Sequence, residues 1–156
     1  MKTLVHIAIA VALLPVAVSA QQTPIAQQKP NFSGRWAAVS PAKAAGQEQI
    51  VKHDDKTLST EHVSSGGGHR MVYQLDGVER RVAISASNSD ITMMATAAWD
   101  GETVVISTNT SYPNGMKTRS KETWSLDAKG QLVIDFTESA RNVQGPAMKI
   151  IYVKKP

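Results

Sequence analysis

Apolar and polar positions alternate over much of this chain. Along residues 115–126, Met116, Thr118, Ser120, Glu122, Trp124 and Leu126 share one face, and Lys117, Arg119, Lys121, Thr123 and Ser125 share the other. A period of two belongs to an extended strand with one wet side. Leu132, Ile134 and Phe136 alternate in the same way with Val133, Asp135 and Thr137. Met148, Ile150 and Tyr152 alternate with Lys149, Ile151 and Val153. Between the alternating runs stand Asp76-Gly77, Asp100-Gly101, Asn114-Gly115 and Lys129-Gly130, dipeptides that supply the positive φ of hairpin tips. The pattern predicts strands over 33–39, 48–53, 57–63, 69–75, 78–84, 90–99, 102–111, 115–126, 131–139 and 147–154. The Ala-rich stretch 40–47 predicts one short helical turn or a loop. No other segment carries a helical period.

Strands of this number with short connections form a sheet long enough to curl, and closure removes its exposed edges. The expected fold is all-β: a single up-and-down antiparallel β-barrel of about 8–10 strands. A two-sheet β-sandwich is the alternative. In Asn31-Phe32-Ser33-Gly34-Arg35-Trp36, the two aromatics are expected to cover the bottom of the barrel, and Gly34 to let the backbone pass close to a neighbour.

Composition adds an address. Lys2 precedes an apolar run over residues 4–18, and Val18-Ser19-Ala20 fits the small-residue cleavage rule. Residues 1–20 therefore read as a signal peptide cleaved after Ala20. The run falls short of a membrane span, and no second one follows. The Gln-rich stretch 21–30, with two prolines, reads as a disordered linker. Residues 31–156 remain as one domain.

The chain has no cysteine, which excludes disulfides, thiolate chemistry and a lipid anchor on an N-terminal Cys. This favours a bacterial periplasmic or extracellular protein. In that setting the sequons Asn31-Phe32-Ser33 and Asn109-Thr110-Ser111 are read as accidental. The formal charge of +4 falls by one with Lys2, and its basic residues are scattered. A mild excess with few aromatics argues against nucleic acid as a partner.

The segment Asn31-Phe32-Ser33-Gly34-Arg35-Trp36 resembles the Gly-x-Trp start of the lipocalins and fatty-acid-binding proteins, the calycin group. Trp99-Asp100-Gly101, Glu122-Thr123-Trp124-Ser125-Leu126 and the ending Ile151-Tyr152-Val153-Lys154-Lys155 resemble secreted bacterial lipocalin-like proteins. The resemblance implies a barrel that holds a small ligand. The chain departs from the group in two ways. Residues 40–47 are too short for the helix pair of the intracellular members, and neither a C-terminal helix nor disulfides are visible.

Glu122 stands out because it lies on the face that carries Trp124 and Leu126. A carboxylate there must be paired, hydrated or protonated. Arg80 shares a face with Val82 and Ile84 and is a candidate partner. Together they would form the polar floor of a ligand cavity; the alternative places both at the barrel mouth, in solvent. Trp124 faces inward, and Met93 and Met94 are expected to line an interior space left by Ala95, Thr96, Ala97 and Ala98. The expected ligand-binding residues are Arg80, Glu122, Trp124, Met93 and Met94. Trp36 reads as core, and Trp99 as a plug at one barrel end.

Other constellations read blandly. His53, Asp54, Asp55, Glu61, His62 and His69 are close in sequence, but His53-Asp54-Asp55 reads as a strand end with a polar turn, so no metal is expected. Ser64-Ser65-Gly66-Gly67-Gly68 lacks the Lys-Ser/Thr and helix of a phosphate loop and reads as a hairpin tip. No nucleophile elbow and no paired carboxylates are present, so neither catalysis nor a cofactor is expected.

The leading expectation is a periplasmic or extracellular carrier or sensor of a small apolar or amphipathic ligand. The alternative is a non-catalytic, envelope-associated interaction protein whose barrel is filled by its own side chains. An enzyme using the barrel mouth is a third and weaker class. Interior volume discriminates between the first two. A ligand site needs a cavity of roughly 300 Å³ or more, with a few convergent polar groups, and a packed interior favours the interaction reading. Ligand, partner and oligomeric state are not written in the sequence.

Overall fold

The computed structural model describes residues 29–63, 68–83, 90–141 and 143–156. The expected signal peptide, nearly all of the linker and most of the glycine-rich tip at 64–68 lie outside the described residues. So does Ile84, the end of one expected strand.

The described chain is all-β. Its strands are β1 (Gly34–Ser40), β2 (Glu48–His53), β3 (Thr57–Val63), β4 (His69–Gln74), β5 (Arg80–Arg81) and β6 (Thr92–Asp100). They continue as β7 (Thr103–Ser111), β8 (Lys117–Leu126), β9 (Leu132–Ala140), β10 (Val143–Gln144) and β11 (Met148–Lys154). One 3-10 turn, Ala42–Ala44, follows β1 where a short helical turn or loop was expected.

All strands join one antiparallel sheet in the order β4-β3-β2-β1-β11-β9-β8-β7-β6-β5, with the short β10 on β9. The sheet curls into a half-barrel. Near its open seam the two ends touch: Asp76 bridges Ala98, and Gly77 N–H donates to the Ala97 carbonyl at 2.9 Å. This is the nearest-neighbour order of an up-and-down barrel rather than of a sandwich, and it is consistent with a calycin-like architecture.

The first motif works through three local contacts. Phe32 and Trp36 are essentially fully buried, and the Trp36 indole N–H donates to the Phe32 carbonyl at 2.8 Å. Gly34 has φ +148°, and a Cβ placed there would stand 2.5 Å from Cε of Lys154. The missing side chain makes room for the Lys154 stem, whose Nζ lies 5.5 Å from the centre of the Trp36 ring. Trp36 and Lys154 are register partners across β1 and β11, so the first motif and the C-terminal strand lock together.

The core lies on the concave face. Leu58, Val104, Ile106 and Leu132 are fully buried, and Trp124 nearly so. On β8 the alternation holds: Thr118 and Trp124 are buried, whereas Lys117, Arg119 and Lys121 are exposed. Turns are fixed by side-chain acceptors. Asp127 Oδ1 takes the N–H groups of Lys129 and Gln131, both at 2.9 Å, beside Gly130 at φ 73°. Asn114 Oδ1 takes the Met116 N–H at 3.0 Å.

Two expectations about strands are corrected. The strand expected over 78–84 shortens to Arg80–Arg81, and it pairs with β6 instead of folding back on β4. Asp76-Gly77 is a turn, but not a hairpin tip. There the chain passes from one end of the sheet to the other, so β4 and β5 become its two ends. The small strand β10 carried no alternation and was not expected.

Candidate functional site

Glu122 sits in the middle of β8, opposite Ile106 of β7 and Phe136 of β9. Strand alternation turns it inward with Ser120 and Trp124. Ser120 is satisfied by a 2.7 Å hydroxyl pair with Thr108. Glu122 Oε2 accepts the indole N–H of Trp124 at 2.7 Å. Part of the Glu122 surface faces open space, but the carboxyl lies deep in the protein. Burial pushes its pKa above the usual glutamate value, and the Trp124 hydrogen bond opposes that shift.

The space in front of Glu122 is a cavity of about 190 Å³ inside the curled sheet. Two groups of strands form its walls. On one side β2, β3 and β4 contribute Gln49, Thr60, His62 and Tyr73; on the other β8, β9 and β11 contribute Glu122, Trp124, Phe136 and Tyr152. Met71, Met148, Ile134 and Ile150 complete an apolar lining. Among the described residues, no Lys or Arg lines it.

Its polar groups are only partly satisfied. Gln49 and Thr60 are buried, yet Gln49 Nε2 and Thr60 Oγ1 have no hydrogen-bond partner among the described residues. A buried donor of this kind costs about 1–3 kcal/mol unless something in the cavity engages it. The Tyr73 hydroxyl donates to the thioether sulfur of Met71 at 3.3 Å, a weak acceptor. Burial, and after it the nearby Glu122, push the Tyr73 hydroxyl far up and that of Tyr152 to about 12. Both therefore stay protonated as donors at neutral pH. His62 stacks on His69 with ring centres 4.7 Å apart, and burial followed by the charge of His69 lowers its pKa.

The expected site residues separate. Glu122 and Trp124 line the cavity. Arg80 does not meet Glu122: it is exposed and pairs with Asp76 at 2.5 Å. The expected Arg80–Glu122 floor is thereby corrected. The strand that was to aim Arg80 inward has only two residues, too short to impose a face. Met93 packs on the core outside this cavity. Met94 is its neighbour on one strand and has the opposite direction, opposite exposed Asn109. Consecutive strand residues cannot both point inward.

Gln49, Thr60, His62, Tyr73 and Tyr152 were not expected as site residues. A signal existed. Gln49 has the parity of Val51, and Tyr73 that of Met71 and Leu75, so each was legible as a polar or aromatic group on an inward face.

Beyond the cavity, Phe32 stacks on Trp99 with ring centres 5.9 Å apart and meets Trp124 edge-on at 6.2 Å. His53 joins them, 5.3 Å from Trp99, and burial lowers its pKa. Trp99 thus packs as the expected plug, and the neutral His53 ring behaves as a core group. Asp54 caps the following turn through the N–H groups of Lys56 and Thr57. Among the described residues no group of three or more His, Cys, Asp or Glu side chains is arranged to hold a metal. Likewise, no helix among them is long and apolar enough to cross a membrane.

A wider depression of about 380 Å³ lies at the ends of β8 and β9, beside Lys117, Arg119 and Arg141. Those three side chains belong to exposed residues, so water already solvates the charges. The smaller interior cavity has the desolvated, unsatisfied groups that ligand recognition requires. No protein-family model matches this chain, and no curated protein matches it either.

Proposed function

We propose that this protein is a lipocalin-like binder of a small amphipathic molecule, held in the cavity between β2–β4 and β8–β11. The observation that carries this reading is an apolar interior space onto which unsatisfied Gln49 Nε2, unsatisfied Thr60 Oγ1 and the buried Glu122 converge. Apolar walls supply affinity, and a few placed polar groups supply orientation.

The volume sets the size of the ligand. Drug-sized ligands occupy roughly 300–1,000 Å³. An apolar cavity of about 150 Å³ suffices for benzene. At about 190 Å³ the space is smaller than the roughly 300 Å³ expected of a ligand site; it suits one ring with a short substituent, and a long acyl chain does not fit. The signal-like residues 1–20 support a periplasmic or extracellular site of action.

Native mass spectrometry of the protein purified from its own source tests this reading. The expected spectrum contains a bound species heavier than the polypeptide by the mass of a small organic molecule. A second reading, an interaction protein with a filled barrel, is supported by the close packing of Phe32, Trp36, Trp99 and Trp124 at one end. It prevails if the protein carries nothing and takes up no small aromatic probe.

A further inference from the structure

Resting on that binding reading, we propose that the cavity selects a small organic cation. The ammonium of the ligand would pair with Glu122, and its hydrocarbon body would lie against Tyr73, Phe136 and Tyr152. Three observations on different elements point this way.

The first is the sign of the charge. Among the described residues, Glu122 is the one acidic residue lining the cavity, and no Lys or Arg lines it. His62 is the remaining group there that can carry positive charge, and its burial disfavours that form. Tyr73 and Tyr152 are neutral donors. An anionic ligand would meet a carboxyl with no cation to balance either charge, a costly arrangement in a poorly solvated site. A ligand ammonium supplies the counter-charge that the described lining residues do not.

The second is the free capacity of the carboxylate. The Trp124 indole N–H occupies Oε2 at 2.7 Å. An ionised carboxylate has about four acceptor sites over its two oxygens, so most remain for the ligand. Thr60 Oγ1, without a protein partner, is a second acceptor for an N–H of the ligand, and Gln49 Nε2 is a donor for an oxygen elsewhere on it.

The third is the wall. Tyr73, Trp124, Phe136 and Tyr152 bring four aromatic side chains around one carboxyl. Aromatic faces attract organic cations, most strongly where water is excluded. Benzylamine, benzyl alcohol and benzoate share one ring and differ in the charge of the substituent. All three are within the size of the cavity, so their comparison isolates charge from shape.

The experiment is isothermal calorimetry of the intact protein with these three probes at neutral pH. Benzylamine is expected to bind at least about tenfold more tightly than benzyl alcohol, and benzoate not to bind measurably. Glu122→Gln keeps an oxygen acceptor for Trp124 and removes the charge. It should weaken benzylamine at least about tenfold and leave benzyl alcohol within about threefold. Equal or tighter binding of the alcohol, or unchanged amine binding in Glu122→Gln, overturns the cation assignment and leaves the cavity a ligand site. If none of the three probes binds, the ligand reading falls with it. The probe comparison uses the unaltered protein, so it decides the question even if the variant does not fold.

Discussion

At the scale of single residues, Glu122 has a cost that depends on pH. Burial raises its pKa in the folded protein above the unfolded value, so the folded state holds the proton more tightly. The stability linked to that proton is fully present below the unfolded pKa. It is lost as pH rises through the folded pKa. His53 and His62 act in the opposite sense, because their lowered pKa values favour the folded state as pH rises. Comparing wild type with Glu122→Gln separates the carboxyl from the imidazoles. Glu122→Gln should gain melting temperature relative to wild type as pH rises above the ordinary glutamate value. A difference that stays constant with pH would show that the carboxyl does not change protonation on folding. Arg80 makes the contrasting case. Its ion pair with Asp76 is about half exposed on both sides, at 46% and 49%. Arg80→Ala should leave the midpoint of a denaturant titration nearly unchanged, because solvent screens an exposed pair. Gly34→Ala should do more, about 1–3 kcal/mol, because φ +148° is hostile to an L side chain and Lys154 must move off Trp36.

At the scale of elements, alternation was the most legible feature of the chain. The strands expected over 48–53 and 57–63 match β2 and β3 residue for residue, and the others apart from the one over 78–84 agree to within two residues at each end. The reason is physical: each of these strands has one buried and one wet face, so its period is written in side-chain polarity. The strand over 78–84 lacked that support. Val78 and Val82 lie on one parity, but only Val82 is buried. A strand at the end of a sheet needs little burial, and its pattern carries little information. The same logic yields a prediction for β7 and β8. Ile106→Ala, which empties a fully buried site, should cost about 2–5 kcal/mol. Lys121→Ala, on the outer face of β8, should cost less than about 0.5 kcal/mol. Equal losses in chemical denaturation would mean that the inward and outward faces are misassigned.

At the scale of the whole molecule, the sheet has an inside, an outside and a seam. β7, β8, β9 and β11 are paired on both sides, whereas β4 and β5 lie at the two ends of the order. Among the described residues the chain after β4 is joined to β6 by the Asp76–Ala98 bridge, the Gly77–Ala97 hydrogen bond and the short β5 pairing at Arg80 and Arg81. Backbone groups at such an edge open locally before the core does. Amide exchange followed by mass spectrometry should be slowest in β7, β8 and β9 and fastest around Arg80–Arg81. If the seam were a closed ladder, β4 and β5 would be protected like the interior strands.

The sequence by itself determined the long strands, the inward placement of Glu122 and Trp124, and the tie between Gly34 and a close neighbour. Each of these follows from local parity or from backbone permission, which a linear chain can encode in a few residues. Only the tertiary structure decided what Glu122 faces. Gln49, Thr60, Tyr73 and Tyr152 lie on four different strands, and curling of the sheet brings them around one cavity. It also sent Arg80 to Asp76, four residues away, instead of to Glu122. Parity says which side of a sheet a residue occupies. It does not say how far along the barrel, or against which distant strand, and those depend on register and curvature summed over the whole sheet.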